Sequence, residues 1–463
     1  MNNRLISLTK GVFKIKINSF LGIIASKITL KLSKWIFKGG SNFPGTVALK
    51  FDKHILKTVA KDYNIILVTG TNGKTTTTSM IYNILKANNF SVITNNTGAN
   101  MVTGITSCFV SNYSFFKNNK NTYAVIETDE AYVPIITEDI SPKIITVTNL
   151  FRDQLDRYGE INTTFAKIFS GIEKTPSTTL VLNGDESLFG KLDVKNPVCY
   201  YGFDVPIKKD AKLDMNSDNK FCKCCKSQYD YKFVTYNHLG YYYCKNCGYE
   251  RPKLKYAVTN IIDLNPNGST VEFNNKEFTI NQAGEYNIYN GLCAYSIAKE
   301  LNVSDEVIAS TLSHQESSFG RQETINIDGK EVKIILVKNP AGYDQAVNTI
   351  MLDKKKINLA VLLNDRYADG RDVSWIWDVN FEKLKELDIN KVVISGTRLY
   401  DMAVRLKIAG FDQNKFLLCE NDDALLEGLK SLDNNTTYIL ATYTAMLNIR
   451  KLLHSKGYIE KIW

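Results

Sequence analysis

Residues 65–76 read Ile-Ile-Leu-Val-Thr-Gly-Thr-Asn-Gly-Lys-Thr-Thr, and no other stretch restricts the architecture of this chain as strongly. An apolar run, a glycine turn and a Lys-Thr-Thr helix start make a strand–loop–helix unit, the building block of a parallel sheet with helical crossovers. Gly70 and Gly73 let the backbone come close to a ligand. The amides of Thr71, Asn72, Gly73, Lys74, Thr75 and Thr76, with the helix N-terminus, then face phosphate oxygens. Lys74 supplies positive charge and the Thr75 hydroxyl is placed to hold Mg2+, so the segment predicts a cradle for a nucleoside triphosphate. Val68 stands where the common phosphate-loop pattern has its first glycine. A Gly-Lys-Thr on a surface turn is the competing reading; the strand and helix on either side argue against it.

The neighbouring pattern agrees. Strand-like runs at 65–69, 91–94, 123–127, 143–149 and 179–183 alternate with helical periodicity, which predicts an α/β domain. Alternation around Asn274-Asn275 predicts a hairpin within 269–280, and a helix follows Asn287. A second series begins near 324, with strands at 333–337, 358–363, 391–395 and 437–441. The expected division is a basic arm at 1–43, an α/β domain at 44–323 and a smaller C-terminal α/β domain at 324–463. Pro44-Gly45 is expected to end the arm. The strand at 123–126 runs into Glu127-Thr128-Asp129-Glu130. A carboxylate at the carboxyl end of a parallel strand reaches metal beside the phosphates, so Glu127 joins Thr75 as the expected Mg2+ partner. Asp129 and Glu130 read as a solvated acidic loop.

The first domain is interrupted at 220–252 by a Cys- and Tyr-rich insert in which Cys222-x-x-Cys225 and Cys244-x-x-Cys247 lie 18 residues apart. That spacing predicts a four-cysteine zinc ribbon, and a closed thiolate site leaves no position for water, so the zinc is structural. Cys224 is a neighbour that competes as a ligand, and His238 reads as a solvated loop residue. Cys108, Cys199, Cys293 and Cys419 read as inert packing. Nine cysteines, four of them with metal spacing, argue against a disulfide framework and for a reducing cytoplasmic setting.

The formal charge is +9, yet residues 1–51 hold nine Lys or Arg and no acid, leaving 48 of each sign beyond them. A balanced body argues against nucleic acid as a partner. Within the arm, Phe20, Leu21, Ile24, Ile28 and Leu32 share helical faces with Lys27, Lys31 and Lys34. This suits a basic amphipathic helix at the inner membrane surface; a helix docked on its own domain is the other reading. No run of 18 uncharged apolar residues exists to span a bilayer, and the start is expected to be retained rather than cleaved.

The loop at 68–76 resembles the ATP-binding motif of the Mur ligase family, enzymes that assemble the peptidoglycan stem peptide. Further likenesses follow in order. Thr148-Asn149 and Asp153-Gln154-Leu155-Asp156 resemble a family segment in which His is usual where Gln154 stands, which puts a second metal site in doubt. Gly284 to Asn290 resembles the stretch whose asparagines, here Asn287 and Asn290, meet adenine, and Gly320-Arg321 the pair whose arginine approaches phosphate. The segments Asn95 to Met101 and Asn364 to Asp378, with the cysteine insert, look like the amidating branch of the family, the synthetase subunits of lipid II isoglutaminyl synthase.

That resemblance implies a Mur ligase-type ATPase domain with an inserted zinc ribbon and a C-terminal domain contacting a GatD-like glutaminase subunit. ATP, Mg2+ and Zn2+ are its implied cofactors and lipid II its substrate. The γ-phosphoryl group would pass to the α-carboxylate of D-glutamate, with Lys74, Glu127 and Mg2+ at the transferred charge, and ammonia would displace phosphate to leave D-isoglutamine. The chain itself offers no convincing Cys–His pair for glutamine hydrolysis, in keeping with a separate subunit. Asp372, rather than Asp369, matches the aspartate that orients the partner's histidine; from the residues alone, Asp372 reads as a cap on the turn after it. Two alternatives stand beside this. One is an amino-acid ligase of the Mur or folylpolyglutamate synthase type; the other is a non-catalytic zinc-ribbon protein that keeps a nucleotide fold.

Overall fold

The computed structural model describes residues 5–7, 14–36, 42–95, 99–115, 119–152, 161–207, 218–315 and 321–460. The first α/β unit is built on strands β1 (Asn64–Thr69), β2 (Ser91–Thr94), β3 (Thr122–Glu127), β4 (Ile144–Val147), β5 (Thr179–Asn183) and β6 (Val198–Phe203). β7 (Asp230–Tyr236) and β8 (Leu239–Tyr243) form a separate hairpin, and β9 (Tyr256–Asn265), β10 (Gly268–Phe273) and β11 (Lys276–Ile280) complete the large sheet. Its order is β11-β10-β9-β6-β5-β4-β1-β3-β2. β2 to β9 pair in parallel, and only β9-β10-β11 run antiparallel. The tight turn between β10 and β11 is made by Asn274 and Asn275 with φ of 49° and 63°, left-handed values that asparagine tolerates and a two-residue hairpin needs.

The central strands are apolar on both faces because helices cover both. On one side Ile66, Val68 and Val125 pack against Met80, Ile84, Ile288 and Leu292; on the other Ile65, Leu67 and Ile126 pack against Ile105, Phe109 and Ile168. The second sheet contains β12 (Arg321–Ile327), β13 (Lys330–Leu336), β14 (Ile357–Leu362), β15 (Ile389–Ser395), β16 (Phe416–Cys419) and β17 (Thr437–Ala441), in the order β12-β13-β17-β14-β15-β16. It too is parallel except for the edge strand β12. The fold is thus α/β of the doubly covered kind, with a larger and a smaller sheet.

Helix α1 (Ile17–Ile36) lies against α2 (Phe43–Phe51). Ile23 is buried, the Ser26 hydroxyl donates to Pro44 O at 2.6 Å, and Lys27 Nζ reaches Tyr113 O at 2.5 Å. The opposite face presents Leu21, Ile24, Ile28 and Leu32 to solvent. No helix among the described residues is long and apolar enough to cross a membrane. Pro44 and Gly45 lie in the first turn of α2, where proline is tolerated. Gly45 is needed because α2 crosses α4 (Val102–Asn112) so closely that a Cβ would meet Thr103 O at 1.8 Å.

Candidate functional site

The phosphate-type loop leaves the carboxyl end of β1 and opens α3 (Lys74–Ala87). Gly70 and Gly73 have φ of +119° and +84°, and both are tightly backed: a Cβ would sit 2.4 Å from Thr148 Oγ1 at Gly70 and 2.2 Å from Asn290 Oδ1 at Gly73. Asn149 fastens the loop, its side chain accepting from Asn72 N (2.9 Å) and donating to Asn72 O (3.1 Å), while its carbonyl accepts from Thr71 N (2.9 Å). The helical ladder of α3 begins with Thr77 N donating to Gly73 O, so the amides of residues 73–76 belong to the helix end that offers donors to an anion.

The acidic segment after β3 is not the solvated loop expected of it. Register pairs Val68 with Glu127, so the end of β3 lies beside the loop, and both Glu127 and Glu130 are buried. Glu130 Oε1 is 3.1 Å from Lys74 Nζ, which also donates to Gly70 O and Thr71 O. Burial raises the Glu130 carboxyl above its ordinary range, helped by the like charge of Asp129 and opposed by Lys74 and Lys338. Asp129 caps the short turn after it by accepting from Ala131 N. Glu127 is held from behind: Asn95 brackets its backbone through Glu127 N and O, and Asn100 donates to Oε1 at 3.1 Å. An oxygen donor at this strand end with Thr75 on the first turn of α3 is a hard donor set that suits Mg2+.

Asn287 and Asn290 lie on α5 (Glu285–Glu300), buried and bonded to each other at 3.0 Å; Asn290 Oδ1 also accepts from Thr77 Oγ1 at 3.2 Å. They are brought to the underside of the loop. Arg321 begins β12, and its side chain lies outside the described residues, as do Gly320 and 153–160, with Gln154 among them. From the smaller sheet, Asn339 Nδ2 reaches Asn72 Oδ1 at 3.3 Å, and Asp378 lies 3.8 Å from Arg152, so loops of the second unit face the Gly70–Thr76 loop and the segment after Asn149.

The cysteine spacing folds as read. The four sulfurs of Cys222, Cys225, Cys244 and Cys247 lie within 4.8 Å of one another, with Cys222···Cys247 at 3.6 Å and Cys225···Cys244 at 3.5 Å. A tetrahedral Zn2+ with Zn–S bonds of ~2.3 Å requires sulfurs roughly 3.8 Å apart, so the set fits zinc. Cys224 is exposed and lies outside the cluster. The insert has a core of its own, in which Tyr242 and Tyr249 stack and Tyr229 packs tilted against both beside the cysteines. His238 is the clear correction. It is fully buried, with Nε2 2.7 Å from Glu186 Oε2, because the β7–β8 turn inserts into the core under the large sheet instead of facing water. Glu186 was missed as well. Its signal was the Asp185-Glu186 pair one residue past strand β5, the same pattern as Asp129-Glu130 one residue past β3.

Asp372 sits on an exposed loop and accepts from Ser374 N at 2.8 Å, the capping contact; Asp369 is buried, holding Thr444 and Arg366. Tyr367 and Trp377 are exposed near by in sequence.

Residues 68–249 match the Mur ligase middle domain family and residues 336–446 the MurT ligase C-terminal family. The chain is 43% identical to the MurT subunit of lipid II isoglutaminyl synthase (glutamine-hydrolyzing) of Streptococcus pneumoniae, over 91% of this chain and 94% of that one. Identity to the same subunit of Staphylococcus aureus strain COL is 35%, over 83% and 86%. Among solved structures, a pseudomurein peptide ligase type C from Methanothermus fervidus superposes with a TM-score of 0.64 at 19% identity, covering 85% of this chain and 79% of that one. MurF from Acinetobacter baumannii gives 0.64 at 16%, covering 90% and 80%, so the architecture is that of the Mur ligases. With that degree of identity along nearly its whole length, and both family regions in their places, this chain belongs to the MurT family.

Proposed function

We propose that this chain is the synthetase subunit of a lipid II isoglutaminyl synthase, a ligase that amidates the α-carboxylate of D-glutamate in the lipid II stem peptide. The observation that carries it is the Gly70–Thr76 loop with its buried carboxylates, joined in one chain to a MurT-type C-terminal region. A carboxylate oxygen is a poor leaving group. A carboxylate oxygen therefore attacks the γ-phosphorus of ATP, the bond to the β-γ bridging oxygen breaks, and ADP departs. Ammonia adds to the acyl phosphate, loses a proton, and the C–O bond to phosphate breaks to give amide and inorganic phosphate. In this reading the amides of residues 70–76 and Lys74 stabilise the transferred charge, Asn287 and Asn290 serve the adenine side, and Arg321 the phosphate side. Thr75 and Glu127 would hold Mg2+, which supplies charge neutralisation at the phosphates. The zinc ribbon is structural.

Ammonia comes from a GatD-like glutaminase subunit that docks on the region 324–463, where exposed Asp372 orients the partner's catalytic histidine. The exposed stripe Leu21, Ile24, Ile28 and Leu32, on a helix with lysines and no acid, gives the chain a contact with the anionic cytoplasmic face of the membrane, where lipid II resides. Co-expression with the glutaminase, supplied with lipid II, ATP, Mg2+ and glutamine, is expected to lower the product mass by about one dalton, as OH becomes NH2. Addition of an amino acid instead would favour the Mur or folylpolyglutamate type of ligase. Nucleotide binding with no product would favour a non-catalytic role.

A further inference from the structure

The zinc ribbon does more than sit beside the ATPase domain. Its cysteine knuckles close the base of the β7–β8 hairpin, one just before β7 and one just after β8. The hairpin tip, Tyr236 to Leu239, is buried in the same core that supports the nucleotide loop. There the Tyr236 ring stacks on Phe151 at 5.6 Å and the His238 ring meets Phe151 at 4.9 Å. Phe151 N donates to Thr71 Oγ1 at 3.1 Å, inside the loop itself. A second route runs through Glu186, whose Oε2 takes both His238 Nε2 at 2.7 Å and Leu150 N at 3.3 Å. Leu150 and Phe151 directly follow Thr148 and Asn149, which hold Asn72 by its amide and carbonyl. A third contact fixes the same segment, since Arg152 bonds Asp218 at 2.6 Å and Asp218 N donates to Asn237 Oδ1 in the hairpin turn.

We infer that the hairpin tip is a positioning element for the nucleotide: Phe151, Glu186 and His238 transmit the order of the zinc-closed hairpin to residues 70–72, so that zinc occupancy sets affinity for ATP. None of the three belongs to the nucleotide loop; they act on it through the segment Thr148–Phe151. The inference rests on residues 70–76 being the nucleotide site.

The test uses the full-length chain and a fluorescent ATP analogue, with zinc content and circular dichroism followed in parallel. His238→Gln and Phe151→Leu are expected to weaken binding by about tenfold with zinc retained and secondary structure unchanged. In amidation they raise KM for ATP more than they lower kcat. Lys232→Ala, on the exposed side of β7, is the control and keeps wild-type affinity. Chelation of zinc from the wild-type chain should reproduce the loss, and added zinc should restore it. Unchanged affinity in the variants or after chelation overturns the inference. So does unfolding on zinc removal, because the ribbon would then serve stability alone. Should both variants fail to fold, chelation and re-addition on the wild-type chain decide by the same criteria. Zinc-loaded wild-type protein that binds no nucleotide would instead sink the nucleotide-site reading.

Discussion

Gly73→Ala probes the loop where two independent penalties coincide. Gly73 has φ of +84°, a left-handed conformation that costs an L-residue about 1–2 kcal/mol. The new Cβ would also stand 2.2 Å from Asn290 Oδ1, so the amide of Asn290 must move. Moving it forfeits the bonds to Thr77 (3.2 Å) and Asn287 (3.0 Å). Each such buried bond contributes about 1 kcal/mol net, which brings the expected loss to about 3–4 kcal/mol. In an Asn290→Ala background the obstruction and both bonds are already gone, so Gly73→Ala should cost only its backbone share, about 1–2 kcal/mol. The double-mutant cycle therefore carries a coupling of about 2 kcal/mol. Urea unfolding of the four proteins measures it, and hydrogen exchange along α3 shows whether the loss is local. Additive losses would refute the reasoning, since they would mean that Asn290 is not what backs the glycine.

Lys74→Ala should lower the amidation rate by about 10²–10³-fold, the scale for removing one group that stabilises transferred charge, while an ATP-binding protein with no chemistry would show no such change. Asp372→Asn should lower glutamine-dependent amidation by about 10³-fold or more yet leave amidation with ammonium salts intact; equal loss with both nitrogen sources would reassign Asp372 to the cap it makes with Ser374. The third prediction concerns pH. Burial would lower the His238 pKa, but Glu186 and then Asp218 outweigh it and hold the imidazole above its usual 6.5. A raised folded pKa means stability fully present below the unfolded value and lost as pH rises through the folded one. The urea midpoint should fall as pH rises above the ordinary imidazole range in the wild-type chain and fall less in His238→Gln; parallel profiles would show that His238 carries no charge in the fold.

The sequence marks a strand clearly where both its faces are covered, as in β5 and β17, whose bounds agree with the runs at 179–183 and 437–441. It marks one poorly where the run is short or mixes polar and apolar residues. β16 is four residues long with Leu418 exposed, and β9 alternates polar residues along its outer half, so neither stands out from loop. The same limit governs the site. Gly70, Gly73 and Lys74 carry their chemistry in local spacing, and so do the four cysteines. Glu130, Glu186 and His238 acquire theirs from burial, created by elements distant in the chain: Glu186 meets His238 across 52 positions. A polar residue in a short loop carries no local sign of which core will enclose it.

Gly45 makes the same limit measurable. As a turn residue after Pro44 it would accept alanine with little effect. As a residue in the first turn of α2 it gains from alanine, the better helix former, at most about 1 kcal/mol. The crossing with α4 reverses the sign. The added Cβ would lie 1.8 Å from Thr103 O and 2.7 Å from Ser107 N, both backbone atoms that no rotamer change can clear. The two helices must part by roughly 1.5 Å to restore ordinary contact, which also breaks the 2.7 Å bond from Gly45 N to Ser107 Oγ. Overpacking of this kind costs typically ~1–3 kcal/mol and a lost buried bond about 1 more, so Gly45→Ala should be net destabilising by about 1–3 kcal/mol. Because Ser26 on α1 bonds Pro44 O, the displacement passes on to α1, and its amides should exchange faster along with those of α2. Unchanged or increased stability would show that the close crossing, and with it the seating of α1, is wrong.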